Sequence, residues 1–266
     1  MPASGWTDTL SWVSPLLSKP FDDLTFLSPL SEQRAGRLVT FLAHGLGDGL
    51  VLDVGCGWAE LLLRVVAAAP SCRGIGVDTD EAAITHGRGL VDQRGLAGRA
   101  TLVHGEAKDL SQRADALLCV GASQIWGPPV EDCQPLDYAA ALAAIRGTVP
   151  RGARVVYGES IWSRPPTTAA VSPLAGRFDE LVPLPELVEF AVAHSFMPMA
   201  VHQASTDEWD TFESGYGACY ARWLAEHDPN HPDAESVRAS AARQRKAYLS
   251  GYRGILGMAY LELVAV

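Results

Sequence analysis

Short apolar runs alternate with helical stripes along most of the chain. Leu50 to Val54 is a brief apolar run that ends in the turn Gly55-Cys56-Gly57, and a helix is expected from Trp58 to Ala69. A run of this kind, closed by a glycine loop, reads as a parallel strand covered on both faces. Further strands are expected at Arg73 to Val77, ending at Asp78, at Ala100 to His104, at 115–121 and at Arg154 to Gly158. Helices are expected at 31–44, Glu81 to Gln93 and Pro135 to Arg146. In the first, Leu38, Phe41 and Leu42 share a face behind a Ser31 cap; around the last, Tyr138, Leu142, Ile145 and Val149 do. A helix from Pro185 to Ser195, with Pro185 in its first turn, leads to a sixth strand at Met199 to Ala204. Ser205 and Glu208 then form a capping box. The helix behind it carries Trp209, Phe212, Tyr216, Tyr220 and Trp223 near one face. Asp228 to Pro232 breaks it, a second helix follows from Asp233 to Tyr252, and Gly254 to Val266 supplies the last strand. Strands alternating with helices predict an α/β fold.

The glycine turn carries the chemistry. Gly55 and Gly57 permit positive φ and let a ligand approach the backbone, while the following helix presents unpaired N–H groups and a positive dipole end. Together these make an adenosine-cofactor site. A dinucleotide fingerprint needs a third glycine where Glu60 stands, and Asp53 would face the pyrophosphate. An acid suits a ligand carrying an ammonium and a sulfonium, so Asp-x-Gly-x-Gly points to S-adenosylmethionine. An ordinary tight turn and a different nucleotide stay open as readings of this stretch alone. Asp78 falls where α/β nucleotide sites carry an acid for the ribose hydroxyls, with Thr79 or Asp80 capping the next helix. The alternative is that Asp78 or Asp80 is only a cap.

Val51 to Glu60 resembles the nucleotide loop of class I S-adenosylmethionine-dependent methyltransferases. It departs at Ala59, where that family usually has glycine, and an alanine there asks for a more ordinary φ. Gly105-Glu106-Ala107 resembles the family's Gly-Asp-Ala segment at the adenine amine. Gly158-Glu159-Ser-Ile-Trp162 and Asp207-Glu-Trp-Asp210 resemble a group of bacterial small-molecule methyltransferases, and the likeness covers residues 24 to 266. It implies a Rossmann-like seven-stranded sheet, last strand antiparallel, with helices on both faces and a helical insertion before the last strand. It implies one domain over 1–266: an N-terminal arm and helix (1–45), a cofactor core (46–204), a helical lid (205–253) and a final strand (254–266). The implied activity is methyl transfer from S-adenosyl-L-methionine to a small-molecule acceptor, leaving S-adenosyl-L-homocysteine.

On that reading the cofactor residues are Asp53, Gly55, Cys56, Gly57, Trp58, Asp78, Thr79, Glu106, Ala107 and Gly121. Residues 121–126 follow the fourth strand, at the carboxyl ends where ligands of open parallel sheets sit, so they are expected near the reactive methyl. Trp126, Trp162, Trp209, Tyr216 and Tyr220 are the acceptor-pocket candidates. Glu159 and His202 are the candidate bases, against the alternatives of a helix or loop contact and a satisfied sheet histidine. A non-catalytic S-adenosylmethionine-binding module and an NAD-type oxidoreductase are the rival readings, and Glu60 argues against the second.

Composition narrows the partners. The 266 residues are 48% hydrophobic, enough for one core, and the net charge of −10 makes nucleic acid a poor partner. Five cysteines without a Cys-x-x-Cys read as free thiols. No basic segment leads into an apolar run and no apolar run has bilayer length, so the expectation is a cytoplasmic monomer or homodimer with no membrane contact. Trp6 and Trp12 in the Ser- and Pro-rich arm are expected to be partly buried. Gly127-Pro-Pro-Val130 comes too late, and lacks the end residues, for a site methylating adenine or amide nitrogen. No ligand acid follows the fourth strand, and Pro229 breaks the helix that would bring His227 and His231 together, so chemistry without a metal is expected.

Overall fold

The computed structural model describes residue 17 and residues 19–109, 112–126, 135–174 and 176–266. Trp6, Trp12, Gly127–Val130 and Cys133 lie outside the described residues. Ser31 caps α1 (Glu32–Ala43) by accepting from the Arg34 amide, and a loop leads into β1 (Leu50–Val54). There follow α2 (Glu60–Ala68), β2 (Arg73–Asp78), α3 (Glu81–Gln93), β3 (Ala100–His104), β4 (Ala116–Val120) and α4 (Tyr138–Thr148). The second half consists of β5 (Arg154–Trp162), the short α5 (Thr168–Val171), α6 (Leu184–Ala193), β6 (Phe196–Gln203), α7 (Thr206–Glu226), α8 (Ala234–Ala247) and β7 (Leu256–Ala265).

The seven strands form one sheet in the order β3-β2-β1-β4-β5-β7-β6. β1 to β5 pair in parallel, and β7 runs antiparallel between β5 and β6. Alternation along each strand feeds two cores. Val51, Leu118 and Val156 pack with Leu38 and Leu42 of α1 and Leu62 and Val66 of α2. Their neighbours Leu52, Leu117 and Val155 pack on the other face with Tyr138, Leu142 and Ile145 of α4 and Leu187 of α6. Helices on both faces explain why these strands read as continuous apolar runs.

Several boundaries move. α2 starts two residues later than the pattern predicts, because Cys56 to Ala59 form a separate turn closed by the Ala59 amide on the Cys56 carbonyl at 2.7 Å. Ala59 does not take an ordinary φ: it is left-handed at φ +63°. The methyl is accommodated at a cost of about 1–2 kcal/mol rather than by a different loop. β5 runs four residues past Gly158, since β7 pairs with it as far as Trp162 opposite Leu256. The second lid helix ends at Ala247 and passes into a π turn, Tyr248–Tyr252. α7 stops at Glu226, yet the His227 and His231 rings come within 5.3 Å, contrary to the expectation from Pro229, because both pack on Trp223 at 4.1 and 5.1 Å. Among the described residues, no group of three His, Cys, Asp or Glu side chains is arranged to hold a metal ion and no helix is long and apolar enough to cross a membrane.

The lid is fastened to the body at the start of α7. Glu208 closes the capping box on the Ser205 amide at 2.7 Å. It also accepts from the Ser31 amide and, through both oxygens, from the Arg34 guanidinium, each at 2.9 Å. Burial alone would raise its pKa; the Arg34 side chain and the N–H groups of residues 31 and 205 outweigh it and hold the carboxyl at about 2. Further along, Asp210 accepts from Arg253 and from the Tyr248 hydroxyl.

Breaking a buried pair costs roughly 3–5 kcal/mol. Glu208→Ala is expected near the low end, about 3 kcal/mol by urea denaturation, because Arg34 keeps some exposure. Since the folded pKa lies below the ordinary 4.5, the contribution is complete above pH 4.5 and is lost as pH falls toward 2. Acid unfolding of Glu208→Gln should lack that component.

Candidate active site

The glycine loop sits where β1 meets the reversal of strand order, β1 lying between β2 and β4. The Gly55 and Cys56 amides both donate to the Val77 carbonyl, at 3.0 and 3.1 Å. Gly57 donates to Asp78 Oδ2 at 2.7 Å, and Asp80 to Asp78 Oδ1 at 2.9 Å. The loop from β1 is thereby bound to the end of β2. Gly55 has φ +69°, and a β-carbon there would stand 2.5 Å from that of Ala122. Glycine is required both for the turn and for the close passage of the segment after β4. Asp80, not Thr79, caps α3, accepting from the amides of Ala82 and Ala83.

A cavity of about 390 Å³ opens above this loop. That is the size of a small-molecule site. Asp53, Gly55, Cys56, Gly57, Trp58, Asp78, Thr79, Glu106, Ala107 and Gly121 all line it. So do Glu159, Trp209, Tyr216 and Tyr220. Three predicted residues do not. Trp126 packs on the opposite-face core. Trp162 is 5% exposed among Ala170, Tyr248 and Leu256, and its indole N–H donates to the Phe178 carbonyl. The sequence places it past the end of the strand, on the ligand side; as the last residue of β5 it faces the core under the lid. His202 lies on the edge strand β6 and meets Glu262 at 3.2 Å, the satisfied sheet histidine and no base for this cavity.

The electrostatics of the site are one-sided. Every charged side chain lining the cavity is a carboxylate; among the described residues no Lys, Arg or His lines it. Most of these acids have partners. Glu60, standing where a dinucleotide loop has glycine, is bonded to Arg64 and Arg94 at 2.7 Å each and so joins α2 to the end of α3. Glu159 is 4% exposed and accepts from the Ser123 amide at 3.2 Å and the Ser160 amide at 2.9 Å. Burial raises its pKa against those donors. It therefore holds the turn Ser123–Ile125 against β5. Asp53 differs: burial, with the nearby Asp78 charge adding, pushes its carboxyl up to about 8. Burial likewise pushes the Cys56 thiol well up.

Some of the wall is not evident from motifs. Residues 26–30, before α1, line the cavity. They are tied to β7, since the Tyr260 hydroxyl donates to the Pro29 carbonyl at 3.1 Å and accepts from the Ser28 hydroxyl at 2.5 Å. The Trp58 indole N–H donates to the Thr25 carbonyl at 2.9 Å. From the lid come Glu213, Gln244 and Tyr252, which no motif marked. Glu213 follows Trp209 by four positions and precedes Tyr216 by three, so helical spacing from the aromatic stripe would have found it.

Comparison with known proteins agrees with this geometry. A family model described as a methyltransferase domain matches residues 51–142. Methyltransferase ungE′ of Aspergillus campestris is 27% identical over 186 residues, 66% of this chain; the match spans 50% of that relative's length. An S-adenosylmethionine-dependent methyltransferase of Thiobacillus denitrificans, solved with S-adenosyl-L-homocysteine, is 25% identical and superposes with a TM-score of 0.77 over 93% of this chain and 96% of that one. A counterpart from Geobacter sulfurreducens, also solved with S-adenosyl-L-homocysteine, shares the fold at 23% identity, with the same TM-score and coverage. With the domain match lying on the glycine loop and the superposition covering 93% of the chain, the chain has the class I, Rossmann-like fold of these methyltransferases.

Proposed function

We propose that the chain transfers a methyl group from S-adenosyl-L-methionine to a small-molecule acceptor, releasing S-adenosyl-L-homocysteine. The observation that carries this is Asp53: a buried carboxyl with a raised pKa, at the foot of a cavity that no cationic side chain among the described residues lines. A diphosphate would find no cation there and would face the Asp53 carboxyl, whereas an ammonium would pair with Asp53 and draw its proton off. Asp78 fits the ribose as well. Its two loop bonds use two of about four lone-pair positions, which leaves room for two hydroxyl donors. Glu106 and Ala107 stand at the adenine end, and Trp58 and Thr79 complete the wall. Glu60, whose charge is met by Arg64 and Arg94, belongs to the framework rather than to the ligand.

When bound, the cofactor supplies a methyl carbon made electrophilic by its sulfonium. The chain's own part is to position and to exclude water, which together supply several kcal/mol. Glu159 does so indirectly, by fixing the turn that carries Gln124 and Ile125. Trp209, Tyr216 and Tyr220 form the acceptor wall on the lid, residues 205–253, inserted into a core of residues 46–204. We infer independence from metal, supported by the missing acid after β4 and by the absence of a ligand cluster among the described residues. The absence of a basic lining also favours a small acceptor over nucleic acid. A cytoplasmic location fits the free thiols of Cys56, Cys72, Cys119 and Cys219.

Asp53→Asn separates the cofactor reading from a structural one. In the unfolded chain the carboxyl titrates at 3.8, in the folded chain at about 8. Between those values the folded state keeps a proton that the unfolded state has lost, so stability falls as pH rises through this window. The variant is expected to melt above the wild type at pH 7–8, with the difference closing toward pH 4, when measured without ligand.

The same variant should bind S-adenosyl-L-homocysteine more weakly by about 1.5–3 kcal/mol in calorimetry, the size of a lost charged hydrogen bond. Unchanged affinity removes Asp53 from the ligand, and equal affinity for NAD overturns the cofactor assignment. Incubation with methyl-labelled cofactor and a metabolite extract should label a small product and should persist in a chelator. No label in any fraction would leave a binding module.

A further inference from the structure

Glu213 has no role in holding the cofactor as described, and it is the one lid carboxylate on the cavity wall. It stands in an aromatic surround. Trp209 meets Phe212 edge-on at 6.0 Å and Tyr252 at 6.4 Å, and Phe212 meets Tyr216 at 5.1 Å. Its bonds come from neutral donors, the Tyr252 hydroxyl at 2.8 Å and the Gln244 amide at 3.4 Å. Burial raises its pKa against both. Of the other acids of the wall, Asp53 and Glu106 stand at the cofactor loop and strand ends, away from the lid, and four are engaged. Glu60 has two arginines, Asp78 and Asp80 hold backbone N–H groups, and Glu159 holds two more. Glu213 thus brings a charge to the cavity that no cation of the described residues meets. One turn away, the indole N–H of Trp209, 7% exposed and on the same wall, has no partner either. A half-buried carboxylate that no cation meets, beside a buried indole N–H with no acceptor, leaves this wall open to a ligand.

We infer that Glu213 is the counter-ion that selects the acceptor, a small organic cation with an apolar or aromatic body held between the carboxylate and the rings of Trp209, Phe212, Tyr216 and Tyr252. This rests on the methyl-transfer reading and names its substrate class. Aromatic faces and a desolvated carboxylate both favour an ammonium. A phosphate or carboxylate on the acceptor would meet only like charge among the described residues of the cavity, none of which is basic. The cationic nitrogen is a handle and not the nucleophile, since a protonated nitrogen has no lone pair to attack a methyl carbon. The methylated atom is a second, uncharged one, placed toward Glu159 and the strand ends.

The test uses three probes of one shape that differ in charge: phenethylammonium, phenethyl alcohol and hydrocinnamate. Each is titrated into the full chain by calorimetry, with and without saturating S-adenosyl-L-homocysteine. The ammonium is expected to bind about tenfold or more tighter than the alcohol, and the carboxylate weakest. Glu213→Gln, which keeps an acceptor for Tyr252, should remove that preference, leaving the affinity for the alcohol and for S-adenosyl-L-homocysteine as in the wild type. No preference for the ammonium, no binding of it, or the same preference in Glu213→Gln overturns the inference. So does weaker S-adenosyl-L-homocysteine binding in the variant, which would move Glu213 to the cofactor. Should the variant not fold, the three-probe comparison on the wild type still decides whether the cavity prefers a cation. Failure of the wild type to bind S-adenosyl-L-homocysteine counts against the cofactor reading alone, because the probes are also measured without it.

Discussion

The site depends on the end of β2 being bonded to the loop that leaves β1. Two amides of that loop share the Val77 carbonyl, and a third is held by Asp78. These bonds fix the left-handed turns at Gly55, Gly57 and Ala59 and point α2 at the cavity. They also consume backbone donors that would otherwise cost energy when buried. The loop is therefore set before any ligand arrives, and Asp78 has a structural duty beside any ligand it meets. The energetic strain of the site lies one strand inward, at Asp53, whose burial opposes its charge. A fold can carry such a group only where the surrounding bonds are strong enough to hold the backbone regardless.

The lid is built on the same division between fastened and unfastened acids. Glu208 and Asp210 are matched by Arg34 and Arg253 and fix α7 at its first turn. Glu213, one turn further, has only neutral donors. Along one helix, then, charge passes from framework to cavity within five residues. Gly215 permits this geometry by letting α7 approach the N-terminal segment, where a β-carbon would stand 2.2 Å from a Leu24 methyl.

The sheet and its cofactor end were legible in the sequence because each depends on local signals. Apolar runs mark the strands, glycines the turn, and Asp53 and Asp78 the ends of β1 and β2. The capping box at Ser205 and Glu208 formed as its spacing predicts. What the sequence concealed was tertiary. Trp162 carries a recognisable motif, but its orientation depends on how far β7 pairs along β5, and no local pattern reports that. His202 was ambiguous until the Glu262 side chain, diagonal to it across β6 and β7, met its ring. The left-handed Ala59 shows a local preference overruled by the loop around it. Residues 26–30 carry no motif, because their role is to be a wall held by a tyrosine more than two hundred positions away.

That distant tyrosine gives β7 a meaning for how the molecule is made. β7 lies between β5 and β6, so β6 has no neighbour in the sheet until residues 256–265 have left the ribosome. Until then the nucleotide half can assemble from local crossovers, while β6 presents an unpaired edge and the lid helices have no second attachment. The docking of one strand then joins β5 to β6 and, through Tyr260, brings the segment before α1 onto the cavity. The docking of that one strand thus completes the binding chamber, and a nascent chain carries its glycine loop for some time before it has an enclosed place to use it.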